Sequence, residues 1–273
     1  MKIGVISDLH IDANSDEQIS IENFEEILAN EINEQEIELL LIAGDVSNQA
    51  TLSHQFIENI KQKTNKPVLF VPGNHDYWSK GQEEKNTNET LAYFKAQEES
   101  IIEKPFVIND EWAIVGHSAW YDYTFADRRF SVEELSTGSY NGRVWQDKLN
   151  TDWKIDDRSL SKQFAETVHK DLEQMKDKNI IFMTHMVTYR NFGVKLPNPV
   201  FDFFNAFIGT SDFNQMLQTY NIKYNIMGHV HYRKREVENG ITHICACLGN
   251  QKEWHTPDLA TEIKHTLQII QIK

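Results

Sequence analysis

The sequence predicts an α/β fold on two observations: short apolar runs that stop at polar, often glycine-flanked residues, and helix-like stretches between them. The runs are Lys2–Ser7, Glu38–Ala43, Pro67–Val71, Asn179–Thr184 and Tyr224–Met227. Unbroken apolar runs of this length suit strands buried on both faces. Helices are expected over Ser20–Gln35, Leu52–Lys63, Glu89–Glu103, Asp157–Lys176 and Ser211–Tyr220. Alternation of the two builds a sheet with helices laid against it. The last third changes character. Tyr232–Val237, Ile241–Leu248 and His265–Ile272 read as successive strands with few helices between, and Glu238-Asn239-Gly240 reads as a hairpin turn.

At 273 residues the chain can bury a sizeable core, and we read residues 1–273 as one domain without internal repeats. Lys plus Arg is 27 and Asp plus Glu is 41, so the formal charge is 27 − 41 = −14. Such a chain repels nucleic acid and anionic membranes at long range, which argues against both as partners. A small anion can still bind where local positive charge, such as a metal, outweighs the global field. The apolar run at the start is too short for a signal peptide, and no stretch approaches the ~20 apolar residues of a membrane helix. The only cysteines, Cys245 and Cys247, sit two apart on an expected strand and face one way. Free buried thiols are the reading, consistent with a cytoplasmic protein.

Residues 120–153 break the pattern. Trp120, Tyr121, Tyr123, Phe125, Phe130, Tyr140, Trp145 and Trp153 occur there among Asp, Arg, Ser and Gly without clean periodicity. The stretch is either a loop packed on its own aromatics or a lid inserted over a site.

The chemistry gathers where the apolar runs end, which is where open α/β sheets bind ligands. Asp8-Leu9-His10 sets two ligand types two apart, on one face if the chain stays extended. Gly44-Asp45 offers a carboxylate able to bridge two ions. Gly73-Asn74-His75-Asp76 offers an amide oxygen, an imidazole and a carboxylate; His185 follows its run alone; Gly228-His229-Val230-His231 repeats the two-apart spacing with imidazoles. Singly these are common. Together, in order and all at run ends, they suit borderline divalent ions.

In that combination the sequence resembles the calcineurin-like metallophosphoesterase superfamily, whose motifs frame residues 8–231. One departure is Met186-Val187 after His185, where many members have a proline nearby. The resemblance implies a four-layer α/β/β/α sandwich, with 120–153 as an aromatic-rich insertion. It also implies two divalent metal ions. Asp8, His10 and His231 would hold the first, Asn74, His185 and His229 the second, and Asp45 would bridge them. His75 would be the catalytic imidazole, oriented by Asp76.

The implied activity is hydrolysis of a phosphoester, diester or monoester, on a small phosphorylated molecule, with a water activated between the metals as nucleophile. Mn²⁺ is the leading metal, with Fe or Zn as alternatives. The alternatives for function are a nuclease, which the −14 charge opposes, and a non-catalytic scaffold on the same fold. Arg190 is the first choice for a further phosphate-binding group, ahead of Arg128, Arg129 and Arg143. His117 is read as structural.

Overall fold

The computed structural model describes residues 1–78 and 86–273. In chain order the strands are β1 Lys2–Ile6, β2 Leu39–Ile42, β3 Val68–Phe70, β4 Phe106–Val107, β5 Trp112–His117, β6 Ser139–Tyr140, β7 Arg143–Val144, β8 Asn179–Thr184, β9 Ile222–Met227, β10 Arg233–Glu238, β11 Ile241–Ala246 and β12 Gln268–Gln271. They form a four-stranded sheet in the order β12-β1-β2-β3, a six-stranded sheet in the order β10-β11-β9-β8-β5-β4, and a small β6-β7 ribbon. β1, β2 and β3 run parallel, as do β5, β8, β9 and β11; the outer strands β12, β4 and β10 pair antiparallel.

The two-residue period of a strand decides the layering. Ile3, Val5, Leu39 and Leu41 of the first sheet share one core with Ile114, Ile181, Met183, Ile226 and Ile244 of the second. Their alternates Ile6, Leu40, Ile42, Val115, Ile180 and Phe182 face a different core together with helix residues. The sheets therefore stack face to face with helices outside, the α/β/β/α sandwich expected. Helix Ile21–Glu34 lies beside Ala50–Thr64 and Leu259–Thr266 on one side, and Asp157–Gln174 covers β5 on the other. Local sequence explains these helices. Ser20 and Asn23 form a reciprocal capping box before the first, which buries Phe24, Leu28 and Ile32 at four-residue spacing. Asp156 caps the Ser159 amide before the longest, which buries Leu160, Phe164, Val168 and Leu172 at the same spacing.

Several expectations need correction. The helix expected over Glu89–Glu103 spans Thr87–Ala96, and Ile101 and Ile102 are instead buried beside the sheets. The helix expected at Ser211–Tyr220 shortens to Asn214–Thr219. The strand expected from His265 begins at Gln268, because Asp258 caps a helix over Leu259–Thr266. β5 was not anticipated, although Trp112–Val115 ends at Gly116-His117 as the other runs end. The β10–β11 turn is the Asn-Gly hairpin expected, with Asn239 and Gly240 at φ 51° and 80°. Cys245 and Cys247 are free and buried. Among the described residues no helix is long and apolar enough to cross a membrane.

The 120–153 stretch divides. Trp120, Tyr121, Tyr123, Phe125 and Trp153 are core residues, and the Asp157 carboxylate accepts from Trp120 Nε1 at 2.9 Å and from the Tyr123 hydroxyl. The ribbon β6–β7 and residues 145–147 reach the mouth of the site described next.

Candidate metal centre

Asp8, His10, Asp45, Asn74, His185, His229 and His231 come together just past the carboxyl ends of β1, β2, β3, β8 and β9. Asp8, His10 and His231 form one group whose ligand atoms lie within 4.8 Å of one another; Asp45, His185 and His229 form a second. Asp45 Oδ2 stands between the two, 3.3 Å from His185 Nε2 and 3.8 Å from His10 Nε2. In the first group His10 Nε2 and His231 Nε2 are 3.1 Å apart, and His231 Nε2 is 3.7 Å from Asp8 Oδ1. In the second, Asn74 Oδ1 is 3.0 Å from His185 Nε2 and 2.9 Å from His229 Nδ1.

The backbone reaches this geometry in a way that strand alternation does not predict. Asp8, His10, Asp45, His229 and His231 have φ of 54°, 44°, 55°, 72° and 53°, so the Asp-x-His and His-x-His pairs are left-handed turns rather than extended chain. Asp and His are among the side chains that enter this region most readily, yet such residues cost on the order of 1–3 kcal/mol each. Cross-strand bonds hold them: Asp8 N donates to Gly44 O at 2.9 Å, His10 N to Asp45 O at 3.0 Å, and His229 N to Asp8 Oδ1 at 2.9 Å. Gly44 (φ 86°) and Gly73 permit the close approach. A Cβ on Gly44 would lie 2.6 Å from His185 Nδ1, and one on Gly73 would lie 2.1 Å from Asp45 Oδ1.

The outer nitrogen of three imidazoles is already engaged. His185 Nδ1 bonds Ala43 O at 2.9 Å, His229 Nε2 bonds Phe207 O at 3.1 Å, and His231 Nδ1 bonds Glu253 Oε2 at 2.6 Å. Such partners fix ring orientation and turn the other nitrogen inward. Neighbouring ligands on an ion with bonds of ~2.1 Å lie about 3.0–3.4 Å apart, and the inward atoms here lie 2.9–3.8 Å apart, close to that spacing. The electrostatics ask for a cation as well. Burial acts to lower His185, but the Asp45 and Asp8 carboxylates outweigh it and raise it to about 10. Burial acts to raise Asp45, yet the His185, His75 and His10 imidazoles hold it well below the carboxylate range. The residues present thus fit divalent ions, which displace a proton on binding.

His75 lies beside this cluster, 4.7 Å ring to ring from His10 and stacked on Trp78 at 3.7 Å. Its Nδ1 pairs with Asn48 Oδ1 at 2.7 Å, and Asn48 Nδ2 donates to Asp12 Oδ2 at 2.8 Å. The expectation that Asp76 orients His75 is therefore corrected: Asn48 does so, backed by Asp12. Asp76 is fully buried and faces the other way. It accepts the amides of Asp45, Val46, Ser47 and Gly73 at 2.7–3.3 Å and the Ser53 hydroxyl at 2.6 Å. It is the staple that joins the Asp45 and Asn74 loops. Burial holds His75 well below the ordinary histidine range, with Asp45 opposing.

A cavity of about 610 Å³ opens over the ligands. Val144, Trp145, Val200, Phe201 and Phe204 give it an apolar side, and Arg143 and Lys252 also line it. Arg190, the first choice for a phosphate group, is elsewhere: its guanidinium donates to the Thr124 and Phe125 carbonyls at 2.5 and 3.2 Å. Arg129 pairs with Asp202. Sequence reasoning missed Asn48, Glu253 and Asp147, whose partners in the site, His75, His231 and Asn74, lie 27, 22 and 73 residues away. His117 is buried against Phe164 and outside the centre, as read.

The calcineurin-like phosphoesterase family profile matches residues 1–233. The chain belongs to that family. As a member it is a metal-dependent phosphoester hydrolase. Curated protein sequences yield no match. Among solved structures, the phosphopantetheinyl hydrolase of Mycobacterium tuberculosis is similar at 18% identity and a TM-score of 0.77, covering 98% of this chain and 95% of that one. A dimetal phosphatase from Danio rerio is similar at 14% identity and a TM-score of 0.54, covering 89% and 86%. GAP50, described as the anchor in the inner membrane complex of Plasmodium, is similar at 10% identity and a TM-score of 0.50, covering 90% and 70%. At these identities the likeness is one of fold.

Proposed function

We propose that this phosphoesterase works with two divalent ions, one held by Asp8, His10 and His231, the other by Asn74, His185 and His229, with Asp45 shared. The observation that carries the reading is Asp45 Oδ2, a single carboxylate oxygen facing His185 on one side and His10 on the other. The mixed imidazole, amide and carboxylate donors suit Mn²⁺ first, and Fe or Zn next. When bound, such ions supply Lewis acidity toward a phosphoryl oxygen and a lowered pKa for water.

The chain's own residues do the rest. Asp8 and Asp45 bring −2 to ions that bring +4, which leaves the centre positive toward an anionic group. Asn48 Oδ1 accepts from His75 Nδ1, so Nε2 is the nitrogen left for the substrate. It would stabilise or protonate the departing oxygen in the imidazolium form, which the anionic substrate and Asp45 favour against burial. No Ser or Cys nucleophile is invoked. The scaffold reading, open to any chain of this fold, is disfavoured by the full ligand set.

The substrate we infer is a small organic phosphoester with an extended or apolar part. The Trp145 side of the cavity would exclude water from that part, and Arg143 and Lys252 would meet further negative charge. The Mycobacterium tuberculosis hydrolase is named for the phosphopantetheinyl group, an extended chain of this kind. The net charge of −14 opposes a nuclease role. Protein stripped of metal and reloaded with Mn²⁺, Fe²⁺ or Zn²⁺ should turn over a panel of chromogenic monoesters and diesters and extended organic phosphodiesters. Two ions bound per chain with no turnover on any member would reject the reading.

A further inference from the structure

Asp147 belongs to the aromatic stretch, yet it bonds to a proposed metal ligand. Its carboxylate is buried, 1% exposed. Oδ1 accepts from Asn74 Nδ2 at 2.8 Å and from Trp78 Nε1 at 2.7 Å, and Oδ2 accepts from Trp145 Nε1 at 2.8 Å. The two ends of an amide are nearly the same size, and only the oxygen can ligate a metal. With Nδ2 committed to Asp147, Asn74 has only Oδ1 to turn toward His185 and His229. A flipped amide would aim N–H groups at the cation position and set its oxygen against the carboxylate, so both contacts would repel. Three nitrogen donors converge here, and a carboxylate takes all of them because it presents no donor of its own.

The two indoles extend the same node. Trp78 stacks on His75. Trp145 lies on the apolar side of the cavity, stacked on Phe207 at 5.3 Å and edge-on to His229 at 5.8 Å. We infer that Asp147 is a positioning residue: it locks the Asn74 amide with its oxygen toward the second ion and anchors the aromatic side of the cavity to that ligand. The inference rests on the two-ion reading above.

Calorimetric titration of metal-stripped protein with Mn²⁺ tests it in wild type, Asp147→Ala, Asn74→Ala and the double variant. Asp147→Ala should weaken one of two binding events by about 10–100-fold and leave the other within about threefold. In the Asn74→Ala background the same substitution should cost nothing more, because a residue that acts through Asn74 has nothing left to act on. Equal loss at both events, additive loss in the double variant, or no loss would overturn the proposal. Asp147→Glu keeps the charge and moves the acceptor by about 1.5 Å, one C–C bond; it enters the same cycle if the alanine variant does not fold. A wild-type protein binding fewer than two ions would sink the two-ion reading, whereas two ions without selective loss would sink this inference alone.

Discussion

The two sheets bring different chemistry to one place. The four-stranded sheet ends in Asp8, His10, Asp45 and Asn74 and so carries both carboxylates of the centre; the six-stranded sheet ends in His185, His229 and His231 and carries only imidazoles. Neither half is complete. Asp8 and Asp45 alone crowd negative charge, and without those two carboxylates the imidazoles keep only the Phe207 carbonyl at His229 and the Glu253 carboxylate at His231 as partners on their own side. The paired shifts express the complementarity, with His185 raised to about 10 and Asp45 held down by His185 across the seam as well as by His75 and His10 of its own sheet. The candidate centre is therefore complete only where the two sheets pack on their shared apolar core.

The largest expected break in that comparison is Asp45→Asn, which removes the charge that both groups share. Metal content by elemental analysis should fall from two ions to fewer than one per chain, with affinity down by more than about 100-fold, beyond the usual cost of losing an outer partner. Retention of two ions would show that Asp45 does not bridge.

His75→Ala tests a side chain that belongs to the first sheet and stands near His10 and Asp45, but that holds neither ion in the proposed assignment. Metal content should stay at the wild-type level while kcat falls by roughly 10²–10⁴ on a substrate with a poor leaving group. The loss should shrink with a good leaving group such as p-nitrophenolate. Equal losses on both would leave only oxyanion stabilisation for His75.

Metal removal tests the seam itself. An ion at 100 times its Kd adds about 2.7 kcal/mol per site. At roughly 2–4 °C per kcal/mol, chelation should lower Tm by roughly 5–10 °C for each ion lost. An unchanged Tm in the fully stripped protein would mean that the ligands do not clamp the sheets together.

The smallest effect concerns His117, which ends β5 in the six-stranded sheet and stays out of the centre. Burial, helped by Lys95, lowers it to about 3. A lowered imidazole favours the neutral folded form, so its contribution is full above the unfolded value of about 6.5 and fades as pH falls toward 3. His117→Asn keeps an acceptor for the Ala119 amide, which His117 Nδ1 accepts at 3.2 Å. The variant should lose less Tm between pH 7.5 and pH 5 than wild type does. An unchanged difference would show that His117 does not contribute to acid lability.

How much was legible follows from how local each signal is. Each candidate ligand stands at or just past the end of an apolar run, so its identity and its place at a strand end stand in a few consecutive residues, as at Asn179–Thr184 before His185. β5 shows the same pattern in Trp112–His117, although the histidine that closes it stays outside the centre. The Leu259–Thr266 helix is short, and its start is marked only by the Asp258 cap.

The sequence by itself determined which side chains could bind metal, which strands would deliver them and that the net charge of −14 opposes a polyanionic partner. Tertiary structure alone decided how they meet. Left-handed turns at Asp8, His10, Asp45, His229 and His231 replace strand alternation, and hydrogen bonds from neighbouring loops hold the Asp8, His10, Asp45 and His229 amides. Asn48 in place of Asp76 orients His75, and Asp147 reaches Asn74 across 73 residues. Arg190 is drawn away by two carbonyls that no spacing foretells. A hydrogen bond between distant residues depends on where the sheets and loops bring its two ends. Strand periodicity records only which face a residue takes, so these pairings exist once the sheets have packed.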